Sequence, residues 1–599
     1  MRKIKFVDQT IRDAQQSLWA YLMTNEMLLP IAPAMDEVGY DEIATIGSMG
    51  ITVQVRNLVE DPWDRIRKLA QLITKTPLRG SYMTASLASF DVDTPQDAIA
   101  LWIKRMAANG VDSFWVCDYQ TDMERFYKFA KLSQDLGCKV YPALMYTFSP
   151  VHNKDHWINK TRLITEIKDV VDGIMIEDAG GVINPERTRE LITAVKENCD
   201  DLPVEFHSHC NVGMAPLCYL EAVKSGADTL HTAVPVLANG TSLPSITNIL
   251  ANTRHLGYAD DINDEALEVV CKHFENVAEE AGFPVGVPQE YSEYHFEHQI
   301  PGGMMTNLER QLAELKIEDR LEEFIQEAIQ VRKDFGYPVM ATPFSQIVGT
   351  QAVENCLAGE RYQRVLDQSI KYVCGHYGDP PGPIDPALMQ RIQSIPEAKA
   401  ILNWEPVNRY KPLEDLRREV GPDLTDDEFL LQLLIPGTNA KKFAEKVREA
   451  EKKKALVPPK RPVKTATEQI PSGTAVTFPM QFLVDVEGEE FNVTVIGPAG
   501  GGRGDDAASP VDSAGKAPHR GSADAPGAIK PNVAGSLISL KVSPGQTISA
   551  GNPLATIEAM KMLREINSPH GGVVKEIFFE EGDMLESDDV LMIVEPTDE

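Results

Sequence analysis

Ile4-Lys5-Phe6-Val7-Asp8-Gln9-Thr10-Ile11-Arg12-Asp13 (residues 4–13) opens the chain, and the residues after it decide between two architectures. A β-rich run followed by helical periodicity begins either an open doubly wound sheet or a closed barrel. An open sheet built for nucleotides carries a glycine-rich phosphate loop after its first strand, and none occurs here. Working outward, β-rich runs recur at 42–47, 78–83, 113–118, 140–146, 173–178, 203–209 and 229–234. Amphipathic helical patterns fill the gaps, as in Asp64-Arg65-Ile66-Arg67-Lys68-Leu69-Ala70-Gln71-Leu72-Ile73, where apolar positions recur at the helical period. Eight βα pairs in about 255 residues match a (β/α)8 TIM barrel, typically about 250 residues long.

At 599 residues the chain exceeds what one core usually supports, so several domains are expected. The barrel is assigned to 1–260 and a mainly helical extension to 261–455, with 265–281 and 317–332 its clearest helices. A basic, proline-containing linker and a small β unit fill 456–497, and a Gly/Ala/Ser-rich arm follows at 498–527. A coil of about 30 residues spans roughly 30 Å, enough to let the last domain, 528–599, travel. The net charge of −31 argues against nucleic-acid binding, which needs Lys and Arg to replace phosphate counterions. The eight cysteines form no Cys-x-x-Cys pair, so reduced thiols in a cytoplasmic protein are expected. No run of about 20 apolar residues offers a membrane span.

The last domain repeats itself around one lysine. Gly535, Gly545 and Glu558 recur at the spacing of Gly572, Gly582 and Glu595. Each half alternates apolar and polar residues between glycine turns, the pattern of short β-strands. Glu558-Ala559-Met560-Lys561-Met562 falls where the halves join. This resembles the biotinyl or lipoyl carrier domain, an all-β flattened barrel, in its Ala-Met-Lys-Met biotin form. The resemblance implies biotin in amide linkage to Lys561, attached by a biotin protein ligase.

In the barrel, His207-Ser208-His209 closes the seventh run, where alternate residues point to the same side. Asp13 lies just beyond the first run, close to the seventh in a closed barrel. Two imidazoles and a carboxylate at the C-terminal mouth suit a divalent ion such as Zn, Mn or Co. Residues 8–18, 60–63, 207–214, 238–242, 301–308 and 342–345 together resemble the biotin-dependent carboxyltransferase family of pyruvate carboxylase, oxaloacetate decarboxylase α subunit and transcarboxylase. The resemblance implies a metal held by Asp13, Glu177, His207 and His209. It implies a 2-oxo acid held by Gln16 and Arg79 beside Arg12, a proton-shuttling Thr342, and Ser345 near the biotin.

Several positions depart from the family pattern. Glu177 stands where the family has a carboxylated lysine, and its carboxylate ends about 3 to 4 Å shorter at about 1.5 Å per bond. It either draws the metal toward the sixth strand, acts through water, or leaves the ion. Gln15, Thr52 and Ser86 replace a histidine, an aspartate and a tyrosine of the family's acceptor pocket.

The resemblance implies a carboxyltransferase and biotin-carrier subunit that moves a carboxyl group between carboxybiotin and pyruvate, oxaloacetate or a close analogue. The sequence offers no glycine-rich ATP-grasp loop, so a separate ATP-dependent biotin carboxylase subunit is the expected partner. Two alternatives stand beside this reading: the α subunit of a Na⁺-pumping membrane decarboxylase, and a degenerate barrel that only scaffolds the carrier. Family members assemble, so a homo-oligomer is expected.

Overall fold

The computed structural model describes residues 2–87, 94–118, 122–301, 317–341, 343–396, 409–435, 437–456, 480–486, 489–495, 527–531, 535–559, 562–581, 583–585 and 589–596, together with 305, 308, 312, 398–403 and 405. Eight parallel strands close into a barrel: β1 (Lys5–Asp8), β2 (Glu42–Gly47), β3 (Leu78–Met83), β4 (Ser113–Cys117), β5 (Lys139–Met145), β6 (Ile174–Asp178), β7 (Val204–Ser208) and β8 (Thr229–Thr232). Every expected run overlaps its strand, and closure is made where Val7 of β1 lies in register with His231 of β8. Several expected runs extend slightly beyond their strands. His209, for example, sits one residue past β7, its N–H donating to the Asp178 carbonyl at 3.1 Å.

Alternation sends two kinds of residue to the two sides of each strand. The outer side is apolar: Phe6, Ile43, Phe114, Ile174, Ile176, Val204, Phe206 and Leu230 join one cluster with the surrounding helices. The inner side is not the branched apolar filling usual in such barrels. Glu42, Arg79, Tyr141, Glu205, His207 and His231 are all buried there.

The extension does not begin a new core at 260. The helix Asp264–Ala281 contributes Leu267, Val270 and Phe274 to the barrel's own cluster, and Leu416, Phe429, Leu430, Leu434 and Phe443 return to it from the far end of the extension. Asp427 clamps that return, accepting from Arg105 Nε at 2.7 Å and Arg67 Nη1 at 3.1 Å. Between these ends, Phe335, Phe344, Ile347, Tyr372, Leu388 and Ile392 form a separate small core. Residues 1–451 make one compact unit and 452–599 a second.

The second unit holds an antiparallel pair, β9 (Met480–Val486) with β10 (Glu489–Val495), within the expected small β unit. It also holds two four-stranded sheets built from β11 (Ala528–Ile529), β12 (Gly535–Leu540), β13 (Thr547–Ile548), β14 (Pro553–Ala559), β15 (Met562–Asn567), β16 (Gly572–Ile577), β17 (Met584–Leu585) and β18 (Met592–Pro596). The repeat is visible in the topology: β12 and β16, which open the two halves, lie in different sheets around a core of Leu537, Leu554, Ile557, Val574, Leu591 and Val594. β14 pairs with β15 out to Ala559 and Met562, the neighbours of Met560-Lys561. Lys561, Thr342 and residues 498–526 of the arm lie outside the described residues. No helix among the described residues is long and apolar enough to cross a membrane.

Candidate metal centre at the barrel mouth

Asp13, His207 and His209 bring one ligand atom each to within 4.8 Å of one another, all buried. Asp13 comes from the turn of π-helix Thr10–Ala14 that follows β1, His207 from β7 and His209 from the residue after it. The two imidazole Nε2 atoms face each other at 3.1 Å. Asp13 Oδ1 is 3.3 Å from His209 Nε2, and its Oδ2 is 3.9 Å from His207 Nε2. Such separations suit ligands sharing one ion at about 2.0–2.2 Å.

The groups behind the imidazoles decide which nitrogen is free. His209 Nδ1–H donates to the Thr241 carbonyl at 2.6 Å, leaving the Nε2 lone pair forward. Residues 238–242 thus owe their place in the pattern partly to a backbone oxygen. Ser17 Oγ donates to Asp13 Oδ1 at 3.1 Å, and Thr241 Oγ1 ties that turn down through the Ser17 carbonyl at 2.9 Å. Two imidazole nitrogens 3.1 Å apart beside a carboxylate hold either a shared proton or a cation between them, so the residues present fit a divalent ion.

Electrostatics agree. Burial pushes the Asp13 carboxyl up, but His209 and Arg12 outweigh it and hold it well below the usual carboxylate range. Burial keeps the His207 imidazole well below its ordinary value, hence neutral. Burial also opposes charge on His209, yet Asp13 overcomes it and raises that group. The trio therefore attracts one positive charge.

Glu177, the fourth member of the implied ligand set, stands apart from the other three. It lies in register beside His207 on β6, buried, yet it is not a member of the converging trio. The short reach of glutamate accounts for this. Its Oε2 is buried without a hydrogen bond, and burial, opposed by Arg12, pushes the carboxyl up to about 8.

Arg12 does stand at the mouth. Its guanidinium pairs with Asp13 and lies 4.0 Å over the Trp115 ring, which also packs on His207. Gln16 is there too: the Tyr21 hydroxyl donates to its Oε1. Tyr21 has no place in the sequence-derived site. It and Ala20 adopt positive φ of 66° and 49°, and a Cβ on Gly50 would lie 3.0 Å from its ring, so this strained turn presses the phenol against the start of the loop after β2.

Arg79 does not join them. It is fully buried in the N-terminal half of the barrel, with Nε 2.6 Å from Glu42 and Nη1 and Nη2 at 2.5 and 3.0 Å from Glu205. A guanidinium so engaged has no line to an acceptor at the mouth, which corrects the expectation that it holds one. Gln15 is likewise turned to backbone, donating to the Ile11 carbonyl at 2.6 Å and accepting from Met23 N–H at 3.3 Å, rather than lining a pocket. Ser86 is buried and Thr52 partly so.

The extension reaches the mouth through Val339 and Ala341, which pack on Trp115, Cys117, Ala143, Met145 and Met175 from the barrel interior. Thr342 follows directly in sequence. Ser345, on the helix Phe344–Ala358, is fully buried with its Oγ unpartnered, a hydroxyl left for a further group.

Comparison with known proteins adds three family matches: HMGL-like over residues 3–270, a conserved carboxylase domain over 296–497, and a biotin-requiring enzyme domain over 524–594. The pyruvate carboxylase B subunit of Methanothermobacter thermautotrophicus is 34% identical over 94% of this chain and 94% of its own. The 2-oxoglutarate carboxylase large subunit of Hydrogenobacter thermophilus is 30% identical over 95% of this chain and 91% of its own. In fold, the chain resembles the carboxyl transferase domain of Rhizobium etli pyruvate carboxylase solved with pyruvate, with a TM-score of 0.66 at 21% identity, over 75% of this chain and 78% of that one.

Proposed function

This chain belongs to the biotin-dependent carboxyltransferase family, and on that premise we propose that it moves a carboxyl group between biotin on Lys561 and a small 2-oxo acid at the Asp13, His207, His209 centre. The observation that carries the site is the pair of imidazole Nε2 atoms 3.1 Å apart, facing a buried carboxylate. A divalent ion held there supplies Lewis-acid polarisation of the acceptor's ketone.

The chain's own residues do the rest. Making the carbon beside a ketone nucleophilic places negative charge on the ketone oxygen, and Arg12, fixed on Trp115, offers a cation at that point. Tyr21 holds the oxygen end of Gln16, so the Gln16 amide N–H₂ is turned outward to an acceptor carboxylate. Val339 and Ala341 cover the interior side chains of the mouth and exclude water there. Thr342 passes a proton between the acceptor carbon and the ureido nitrogen of biotin, and Ser345 Oγ stands ready to hydrogen-bond in the same place.

Pyruvate and oxaloacetate are the leading acceptor and product, supported by the relatives named as B subunits of pyruvate carboxylase. The same names support a separate ATP-dependent biotin carboxylase as partner, and the carrier domain calls for a biotin protein ligase. The test is release of pyruvate from oxaloacetate by the metal-replete protein, with and without free biotin. Biotin-stimulated release is expected. Absence of release, with loss of a carboxyl group from another oxo diacid instead, would move the acceptor to that acid's product.

A further inference from the structure

Beneath the ion site the barrel interior carries a chain of polar side chains that no acceptor can touch. His207 Nδ1 is 3.3 Å from His231 Nδ1. His231 Nε2 is 3.0 Å from Glu205 Oε2. Glu205 receives both Nη atoms of Arg79, whose Nε reaches Glu42. Tyr141 closes the far end, its hydroxyl donating to Glu42 at 3.1 Å and its ring 4.0 Å under the Arg79 guanidinium. Every member is buried.

Hydrogen-bond inventory gives this chain a direction. A carboxylate only accepts, so His231 carries its proton on Nε2 and offers a lone pair at Nδ1. Gln9 Nε2 lies 2.9 Å from that nitrogen as a further donor, so the lone pair acts as a shared, three-centre acceptor. A bare Nδ1 on His207 would then face another lone pair, so His207 holds its proton on Nδ1 and turns Nε2 forward. His209 reaches the same tautomer through the Thr241 carbonyl. One ligand is thus set by backbone and the other by a buried ionic relay.

The relay is costly to keep. Buried ion pairs are often no more stabilising than apolar residues of similar volume, and barrels of this kind are ordinarily filled with apolar layers. A purely structural interior gains little from two glutamates, an arginine and a histidine. Partners behind a metal-binding histidine, by contrast, fix its tautomer and raise its basicity.

We propose that His231, anchored by Glu205 and Arg79 and aligned by Gln9, is a positioning residue that presents His207 Nε2 to the ion, and that Arg79 serves the reaction from within this relay. The proposal rests on the ion-site reading above.

The experiment measures divalent-ion affinity of the full-length protein by competition with a chromophoric chelator, using Zn²⁺, and the visible spectrum of the Co²⁺-loaded form. His231→Leu should weaken Zn²⁺ binding about 10- to 100-fold and alter the Co²⁺ spectrum. Glu205→Gln, nearly isosteric, and Arg79→Lys should act in the same direction, and they decide the matter if His231→Leu does not fold. His209→Ala is the control that removes a ligand outright. Unchanged affinity and spectrum in Glu205→Gln and Arg79→Lys, with binding lost in His209→Ala, would overturn the relay and leave the ion site standing. Failure of the wild-type chain to bind either ion would overturn both.

Discussion

At the residue scale, the site is a matter of which end of each side chain is already taken. His207 and His209 could be named from their spacing because alternate strand residues share a face, and Asp13 from its place just beyond the first strand of a closed barrel. The roles of Arg79 and Gln15 could not, because position in a motif does not reveal a partner: Arg79 is taken by Glu42 and Glu205, and Gln15 by backbone. One signal did lie in the sequence. Glu205 and His207 alternate along β7 and His209 continues the alternation one residue past it, so a carboxylate shares the inward face with the imidazoles. Tyr21 had no such signal, since its place depends on two successive residues at positive φ. Its hydroxyl orients Gln16, and a typical hydrogen bond is worth about 0.5–1.5 kcal/mol net. Tyr21→Phe should therefore raise the acceptor KM roughly 2- to 10-fold with kcat nearly kept, measured by steady-state kinetics at saturating ion. An unchanged KM would show that Gln16 needs no such support.

At the element scale, the barrel was legible because hydrophobic runs and helical periodicity alternate eight times, and each expected run overlaps a strand. The extension was less so. Helical periodicity shows that a helix has an apolar face but not which core receives it, and so 264–281 and 413–443 joined the barrel's cluster. The segment after β5 carries its own liability. His152 and His156 stack edge to face at 4.8 Å where the helix Lys154–Thr165 begins. Burial, then His156, Arg332 and Lys160, push the His152 imidazole down to about 3, and burial with Lys160 pushes His156 down to about 4. The unfolded chain takes up these protons near pH 6.5 while the folded one refuses them, so stability is complete above about 6.5 and declines as pH falls toward 4. Denaturant midpoints measured from pH 7.5 to 5 should fall with acidity, and His152→Gln should flatten the slope. A slope identical in wild type and variant would contradict this assignment.

At the scale of the whole molecule, the chain divides into two units, the barrel with its extension and the unit that ends in the carrier domain. The repeat around Lys561 was legible because two similar half-sheets need the same turns, and β12 and β16 take equivalent places in two sheets. The acceptor was not legible, because the residues the sequence offered for it, Gln15, Gln16 and Arg79, do not reveal their partners: the structure engages Gln15 with backbone and Arg79 with Glu42 and Glu205. The most direct test of the account is transfer of labelled bicarbonate into acceptor acid by the biotinylated chain, supplied with ATP and a separate biotin carboxylase. Wild type should place label in the 2-oxo acid product, Lys561→Ala should place none, and added free biotin should leave the variant able to release pyruvate from oxaloacetate. Label reaching the product in Lys561→Ala as in wild type would contradict a carrier that brings the carboxyl group to the barrel.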